Sequence, residues 1–306
     1  IVGSTRSGST LLDAILGQIP GFFSTGELHY LWERGLLEGR RCGCGRPIPA
    51  CEVWSEILAR AFDGGVPDPR TVMRWQDRSV RTRHTLGLLR GGRGTVDREA
   101  LRAYRTLLGR LYPAIAEVTG ARVVVDSSKR PSDGAVLRLV DRVDPYVVHL
   151  VRDPRAVVYS WRRRKPELDR DEGGSMPQQG VVRSAVEWTE QNAAAEALRR
   201  SAGPRRSMLV RYEDFVDRPR STVAAIARMV GEGDAALPFD DEVTVRLGPN
   251  HTVGGNPGRF TTGTTALRRD DEWRSRIERG DRATTTALTF PLLLRYGYPL
   301  APGRDA

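Results

Sequence analysis

The first eighteen residues constrain the fold of this chain more than any other segment. Ile1 and Val2 form a short apolar run, residues 3–10 form a turn rich in glycine and serine, and residues 9–18 follow with a helical pattern. When a strand is followed by such a turn and then by a helix, the backbone N–H groups of the turn and the N-terminus of the helix point to one place. An anion is stabilised there. The segment therefore predicts a strand–loop–helix unit with an anion-binding loop.

This alternation of strands and helices continues along the chain. Short apolar runs predict further strands at 122–126, 146–151 and 207–211, each followed by a helical stretch, at 132–143, 155–164 and 220–230. Strands that are apolar at consecutive positions are typically buried on both faces. The pattern predicts a three-layer α/β fold with a central parallel sheet flanked by helices.

The absence of a recognisable linker predicts that residues 1–306 form a single domain, with a mainly helical insertion at about 53–118. Hydrophobic residues make up 39% and charged residues 28% of the chain, which is the balance of a globular protein with a sizeable core. Apolar runs of only a few residues exclude a membrane-spanning helix. A further helix is expected at 181–201, and long loops typical of lids at 166–179 and 249–265.

The charge balance favours an anionic cofactor or substrate. The net charge is +10, from 48 basic and 38 acidic residues, and Lys129 and Lys165 are the two lysines. Arginine therefore supplies nearly all of the positive charge, which indicates a GC-rich genome more than a nucleic-acid partner. Three cysteines do not form a disulfide scaffold. No secretory leader is evident, so a cytoplasmic location is the default, although a start at Ile1 instead of Met leaves an upstream signal open.

The glycine-rich turn has the spacing of a phosphate-binding loop but lacks its lysine. Gly3 and Gly8 match the pattern G-x-x-x-x-G-K-[ST], in which Ser9 replaces the lysine that normally reaches the β- and γ-phosphates of a nucleoside triphosphate. Ordinary ATP chemistry is therefore disfavoured. Arg6 supplies a cation from the loop itself, so the loop can hold one phosphate and direct a charge at a neighbouring group. The alternative is a tight turn without a ligand.

A second anion site is indicated where the predicted strand 146–151 ends. Arg152 follows this strand, Asp153 can cap the next helix, and Ser160 lies about two helical turns further on. Arg152 and Ser160 could converge on one anion, although a surface pair between Arg152 and Asp153 is the simpler alternative. The basic run at 162–165 is best explained as a helix end whose charge complements the helix dipole.

Taken together, these segments resemble the sulfotransferases that use 3′-phosphoadenosine 5′-phosphosulfate (PAPS). The loop residues similar to the family's 5′-phosphosulfate-binding loop are Arg6, Ser7, Gly8, Ser9 and Thr10. Arg152 and Ser160 resemble the pair that binds the 3′-phosphate in this family. Tyr212 resembles a tyrosine that contacts adenine, and Arg259 resembles an arginine that closes over the 3′-phosphate. The resemblance implies a fold like that of P-loop nucleotide kinases, PAPS as sulfuryl donor, 3′-phosphoadenosine 5′-phosphate (PAP) as product, and no metal.

The same resemblance suggests the groups that perform the transfer. Tyrosylprotein sulfotransferases are similar in having a Gly-Glu pair at this distance from their loop, which implies that Glu27 is the general base, with His29 as the rival. Lys129 follows a strand at the carboxyl edge of the sheet, where its ammonium would stabilise the sulfonyl group together with Arg6. Glu27 as a surface carboxylate and Lys129 as a solvated loop lysine are the alternatives.

The three cysteines have the spacing C-x-C-x₆-C, at Cys42, Cys44 and Cys51. A zinc site would need a fourth ligand, for which His29 and His84 are candidates. With no second pair nearby, the pattern favours a local disulfide or free thiols that stabilise a loop beside the pocket.

The expected function is therefore transfer of a sulfuryl group from PAPS to a hydroxyl or amine acceptor, carried by a small molecule or another substrate. The alternatives are an ATP-dependent small-molecule kinase on a P-loop fold and a non-catalytic basic module that binds nucleotides or nucleic acid. No pattern in the sequence selects an acceptor class or an oligomeric state.

Overall fold

The computed structural model describes residues 1–94, 96–170 and 173–300. Its strands are β1 (Phe22–Gly26), β2 (Val123–Asp126), β3 (Val147–Val151), β4 (Ser207–Arg211), β5 (Thr244–Leu247) and β6 (Gly263–Ala266). Its α-helices are α1 (Ser9–Leu16), α2 (Glu52–Ala61), α3 (Pro69–Ser79), α4 (Thr85–Leu89), α5 (Arg98–Thr119), α6 (Pro131–Leu137), α7 (Pro154–Arg162), α8 (Val181–Ala202), α9 (Tyr212–Asp217), α10 (Pro219–Met229), α11 (Glu272–Arg276) and α12 (Arg279–Arg295). Short 3₁₀ or π turns cover Leu28–Leu31, Trp32–Leu37, Ile48–Ala50, Thr82–His84 and Pro257–Phe260.

The N-terminal segment joins two pairs of parallel strands into one sheet. β1 pairs with β2 and β3 pairs with β4, both in parallel. Val2 forms parallel bridges to Lys129 on one side and to His149 on the other. Its N–H donates to the carbonyl of Val148, and its carbonyl accepts from the N–H of Leu150, both at 2.9 Å. The order is therefore β1, β2, the segment at Val2, β3 and β4, and the strands predicted from the apolar runs are confirmed.

Helices cover both faces of this sheet, as the three-layer prediction requires. Val148 of β3 packs in one apolar cluster with Leu12 of α1 and side chains of α10. Its neighbour Val147 points to the opposite face and packs in a second cluster, with Val136 of α6 and side chains of α5 and α8. Successive side chains of a strand alternate between faces, so β3 is buried on both sides. The predicted α/β class is confirmed.

β1 and the antiparallel pair β5–β6 were not expected from the sequence. β1 begins with two phenylalanines but continues through Ser24, Thr25 and Gly26, which are typical of a loop. Tertiary contacts satisfy these polar groups: the Thr25 hydroxyl donates to the carbonyl of Val125 (3.0 Å), and the Ser24 hydroxyl donates to the buried Asp13 carboxyl. β1 is important for the site because Glu27 follows it directly.

The segment predicted as a helical insertion contains α2 to α5. α5 packs against both α2 and α3, and Trp54, Ile57 and Leu111 are fully buried among these helices. Among the described residues, no helix combines the length and the apolar character needed to cross a bilayer.

Gly3 offers a test of the junction at Val2. Its φ is +141°, and a Cβ there would lie 2.2 Å from the carbonyl oxygen of Leu150, a backbone atom that cannot move without disturbing β3. We expect Gly3→Ala to lower the free energy of unfolding by about 3 kcal/mol or more. Gly120 is the matched control because its φ is also positive (+66°) but nothing lies within 4 Å of the added Cβ. Gly120→Ala should cost only about 1 kcal/mol. Equal losses in urea unfolding would contradict this account of the junction.

Candidate active site

The glycine-rich turn is a compact loop that leads into α1. Gly8 precedes α1 with a φ of +88°, and no side chain caps this helix start. A Cβ on Gly8 would lie 2.5 Å from the ring of Tyr212, so only glycine fits here without displacing that ring. Ser7 and Ser9 are buried, and the Thr10 hydroxyl accepts from the N–H of Asn256 (3.3 Å). The loop therefore presents an uncapped helix N-terminus, as the sequence predicts for an anion site.

Arg6 projects from this loop into a polar cavity. The cavity has a volume of about 640 Å³ and is also lined by Glu27 and Lys129. The Arg6 guanidinium donates to the Asn256 side-chain oxygen (2.9 Å) and lies 4.7 Å from the ring centroid of Trp161. Burial lowers the pKa of Arg6, although Glu27 acts in the opposite direction.

Arg152 lies beside the loop at the end of β3. Its guanidinium donates to the carbonyl of Arg6 (3.3 Å) and to the carbonyl of Asp270 (3.1 Å), and it lies 4.4 Å from the ring centroid of Tyr212. The Asp270 carboxylate is a partial counterion at 3.2 Å. Trp188 donates its indole N–H to the carbonyl of Arg152 (3.0 Å), and this hydrogen bond holds the backbone of Arg152 in place. Arg152 is therefore held rigidly next to the loop.

Lys165 lies beside these residues, although the sequence pattern indicated only that it belongs to a basic helix end. Its ammonium lies 3.5 Å from the hydroxyl of Ser160, which is buried on α7. Burial and the nearby positive charges of Arg6, Arg163 and Arg152 lower the pKa of Lys165 to about 8. Among the described residues Lys165 forms no ion pair with a carboxylate. The feature of the sequence that could have identified Lys165 as a candidate is its position at the end of the basic run 162–165.

Glu27 and Lys129 form a buried ion pair at the ends of the neighbouring strands β1 and β2. The Lys129 ammonium donates to one carboxylate oxygen of Glu27, and the Arg34 guanidinium lies 3.6 Å from the other. Burial acts to raise the pKa of Glu27, but Lys129 and Arg34 outweigh it, so the pKa lies below its ordinary value. Glu27 is therefore ionised at neutral pH.

The backbone of Lys129 is held in a left-handed conformation, with a φ of +68°. This conformation costs a non-glycine residue about 1–2 kcal/mol. The carbonyl of Lys129 accepts from the N–H of Gly3 (2.9 Å), and its N–H donates to the carbonyl of Ile1 (3.2 Å). The same segment that joins the sheet thus imposes the conformation that directs Lys129 toward Glu27.

His29 and Arg259, two other predicted candidates, have different surroundings. His29 lies 3.1 Å from the Asp133 carboxylate and is not part of the cavity wall formed by Glu27. Arg259 is buried in that wall, where it donates to the carbonyls of Thr252 (2.7 Å) and Arg41 (2.6 Å). The closure of Arg259 over a 3′-phosphate stays a prediction.

The three cysteines are free thiols that cluster with a histidine. The histidine is His251, not one of the two considered from the sequence. His29 is paired with Asp133, and His84 lies next to Arg81, from whose N–H it accepts (3.3 Å).

A sequence profile of the sulfotransferase family matches residues 61–235, more than half of the chain. The chain belongs to this sulfotransferase family. The match includes Lys129, Arg152 and Ser160, whereas Arg6 and Glu27 lie outside it.

Two solved structures extend the similarity of this sulfotransferase over 98% of its length. One is the sulfotransferase domain from the Synechococcus PCC 7002 olefin synthase, with 23% identity, a TM-score of 0.55 and 94% of that chain covered. The other is the sulfotransferase domain from the curacin biosynthetic pathway, with 18% identity, a TM-score of 0.52 and 97% covered. At these identities the similarity establishes the fold. A search of curated proteins returned no match.

The ion pair yields a stability prediction. Glu27→Gln leaves the Lys129 ammonium buried without its counterion, which we expect to cost about 3 kcal/mol of unfolding free energy at pH 7. Glu27→Gln combined with Lys129→Met should recover part of that loss. Because the folded-state pKa of Glu27 lies below the ordinary 4.5, the difference from wild type should persist above pH 4.5 and shrink as the pH falls below it.

The exposed pair of Arg60 and Glu117 provides the control for this measurement. Glu117→Gln should leave the unfolding free energy nearly unchanged, because solvent screens exposed pairs. Urea unfolding of the variants at several pH values gives the comparison. A Glu27→Gln protein as stable as Glu117→Gln would contradict the importance of the buried pair.

Proposed function

We propose that this chain transfers the sulfuryl group of PAPS to a hydroxyl or amine acceptor and releases PAP. Beyond family membership, one observation carries the proposal. Arg6, Arg152 and Lys165 converge beside the uncapped start of α1, and Lys165 has no carboxylate partner within the described part of the chain. This arrangement favours a ligand with two separate anionic groups, and the ribose of PAPS carries one at each end.

The two anionic groups have distinct binding elements. The 5′-phosphosulfate is assigned to the loop at 3–10 and the N-terminus of α1, where backbone N–H groups stabilise anions. The 3′-phosphate is assigned to Arg152, Ser160 and Lys165. ATP has no 3′-phosphate, so it would leave these three residues without a ligand. Tyr212 is assigned to adenine by resemblance, and its contacts with Gly8 and Arg152 support a further role in holding both.

Transfer requires attack of the acceptor on sulfur. The new bond joins the acceptor atom to sulfur, the bond from sulfur to the bridging oxygen breaks, and its electron pair leaves on the 5′-phosphate of PAP. The proton of the acceptor passes to the carboxylate of Glu27. The transferred group carries less negative charge than a phosphoryl group, so Lys129, Arg6 and the loop amides can provide the stabilisation that positioning and electrostatics supply in phosphoryl transfer.

Binding of the donor would also change Glu27 from an ion-pair partner into a base. Without donor, Lys129 keeps the pKa of Glu27 low, and a carboxylate with a low pKa accepts a proton poorly. A sulfonate oxygen in the cavity competes for the Lys129 ammonium. When Lys129 turns to the sulfonate, Glu27 loses its nearest cation in a buried position, and its pKa rises.

The 3′-phosphate site predicts a specific dependence of PAP affinity on pH. Lys165→Met should weaken PAP binding about 10- to 100-fold, because a charge-assisted hydrogen bond is lost. A bound phosphate raises the pKa of Lys165 above its free value of about 8. Wild-type affinity should therefore be highest below pH 8 and fall as the pH rises above it, whereas Lys165→Arg, which stays charged, should not show that fall. Isothermal calorimetry with PAP measures both effects.

Two control ligands make this measurement discriminating. Adenosine 5′-phosphate lacks the 3′-phosphate, so Lys165→Met should leave its affinity almost unchanged. Mg²⁺–ATP should bind much more weakly than PAP. ATP binding as tight as PAP binding would contradict the proposal and favour the kinase alternative.

The Glu27→Gln variant tests whether Glu27 is the general base of the transfer. With [³⁵S]PAPS and an acceptor found in a screen of carbohydrates, phenols, lipids, peptides and natural-product scaffolds, we expect turnover to fall about 10²- to 10⁴-fold. PAP affinity should change little, because Glu27 is assigned to neither phosphate. Glu187→Gln is the matched control, since Glu187 lines the same cavity but forms no pair with Lys129, and it should retain most of the turnover. Unchanged turnover in Glu27→Gln would place the base elsewhere.

A further inference from the structure

A group of four metal-ligating side chains lies outside the elements that bind the donor. Cys42, Cys44, Cys51 and His251 place one ligand atom each within 4.8 Å of all the others. Cys42 and Cys51 are buried, and Cys44 and His251 are partly exposed. The sulfotransfer mechanism described above uses none of them.

Three of the six separations between these atoms are close to the edges of a zinc tetrahedron. Zinc bonds of about 2.3 Å to sulfur and about 2.0–2.1 Å to nitrogen give tetrahedral edges of about 3.8 Å for two sulfurs and about 3.5 Å for sulfur and nitrogen. The Sγ atoms of Cys44 and Cys51 are 3.8 Å apart. The Nδ1 atom of His251 lies 3.3 Å from Sγ of Cys51 and 3.8 Å from Sγ of Cys42. A disulfide would need the sulfurs about 2.05 Å apart.

We propose that Cys42, Cys44, Cys51 and His251 bind one structural zinc ion. Three thiolates and one imidazole form a closed four-coordinate donor set, which leaves no position for substrate or water and is typical of structural zinc. Soft sulfur ligands in a tetrahedral arrangement select zinc over magnesium or calcium. The ion is bound as Zn²⁺ when the three thiols release their protons, and no oxidation or reduction takes place.

The backbone preorganises the cysteines. The N–H of Cys42 donates to the carbonyl of Arg46 (2.7 Å), and the carbonyl of Cys42 accepts from the N–H of Gly45 (2.8 Å), which closes a tight turn around Cys44. Gly45 has a φ of +87°, which a residue with a side chain rarely adopts. Cys51 immediately precedes α2 and accepts from the first turn of that helix at Ser55 (2.8 Å). Two rigid elements therefore present three sulfurs to one point.

His251 connects this point to the proposed catalytic edge. Its carbonyl accepts from the indole N–H of Trp54 on α2 (2.7 Å). The next two carbonyls, of Thr252 and Val253, accept from Arg259 (2.7 Å) and from the N–H of Glu27 (2.6 Å). A metal bond to His251 would thus fix the short segment that holds Glu27 against β1. The zinc ion is structural, and its effect on the reaction is to position this segment.

The direct test is the metal content of the purified full-length chain after dialysis. Elemental analysis by inductively coupled plasma mass spectrometry should find about one zinc ion per chain. His251→Gln and Cys44→Ser should each lower that content, whereas His84→Gln should retain it, because His84 lies outside the cluster. Cobalt substitution should give the visible absorption of tetrahedral thiolate coordination, and His251→Gln should alter that spectrum.

Further readouts are independent of sulfotransfer activity. Removal of zinc by a chelator should expose three reactive thiols and speed hydrogen exchange in the peptides that contain residues 42–51 and 251–253, while α10 should keep its protection. The proposal is overturned by a wild-type protein that holds no zinc, by a Cys44–Cys51 disulfide, by iron in place of zinc, or by zinc content that His251→Gln leaves intact. These outcomes do not depend on whether PAPS is the donor.

Discussion

The hydrogen bonds that the first three residues make with β3 and with the segment after β2 are the interaction on which the rest of the molecule depends. Val2 connects two strand pairs that would otherwise be separate sheets. Gly3 donates to the carbonyl of Lys129, and the chain then turns directly into the anion loop. One short segment therefore completes the parallel sheet, starts the loop and holds Lys129 in its left-handed conformation. The sheet core and the proposed chemistry share one set of backbone contacts.

The second constraint is electrostatic. Arg6, Arg152 and Lys165 lie close enough for the first two to lower the pKa of the third, and the Asp270 carboxylate opposes them only in part. The opposite situation holds at Glu27, whose carboxylate is surrounded by the cations of Lys129 and Arg34. An anionic donor would neutralise part of the positive charge of Arg6, Arg152 and Lys165. It would also compete with Glu27 for the Lys129 ammonium. In this proposal, the charge of the ligand would link the two groups of residues.

The sequence predicts the parts of the structure that depend on local patterns. Apolar runs located the segment at Val2 and strands β2, β3 and β4 of the parallel sheet, and glycine spacing located the loop. The sequence did not predict β1. The polar side chains of Ser24 and Thr25 can be buried there only because they form hydrogen bonds with residues distant in the chain. Glu27 and Lys129 were each expected near the site, but their pairing joins positions 102 residues apart. His251 escaped detection for the same reason, since 200 residues separate it from Cys51.

In the proposed function, the two anion-binding elements hold one nucleotide that carries a phosphate at each end of its ribose. A crystal structure of the chain with PAP tests this most directly. We expect the 5′-phosphate on the N–H groups of residues 5–10 and the 3′-phosphate within hydrogen-bond distance of Arg152, Ser160 and Lys165. A nucleotide bound elsewhere, or bound at the loop with its 3′-phosphate in solvent, would contradict it.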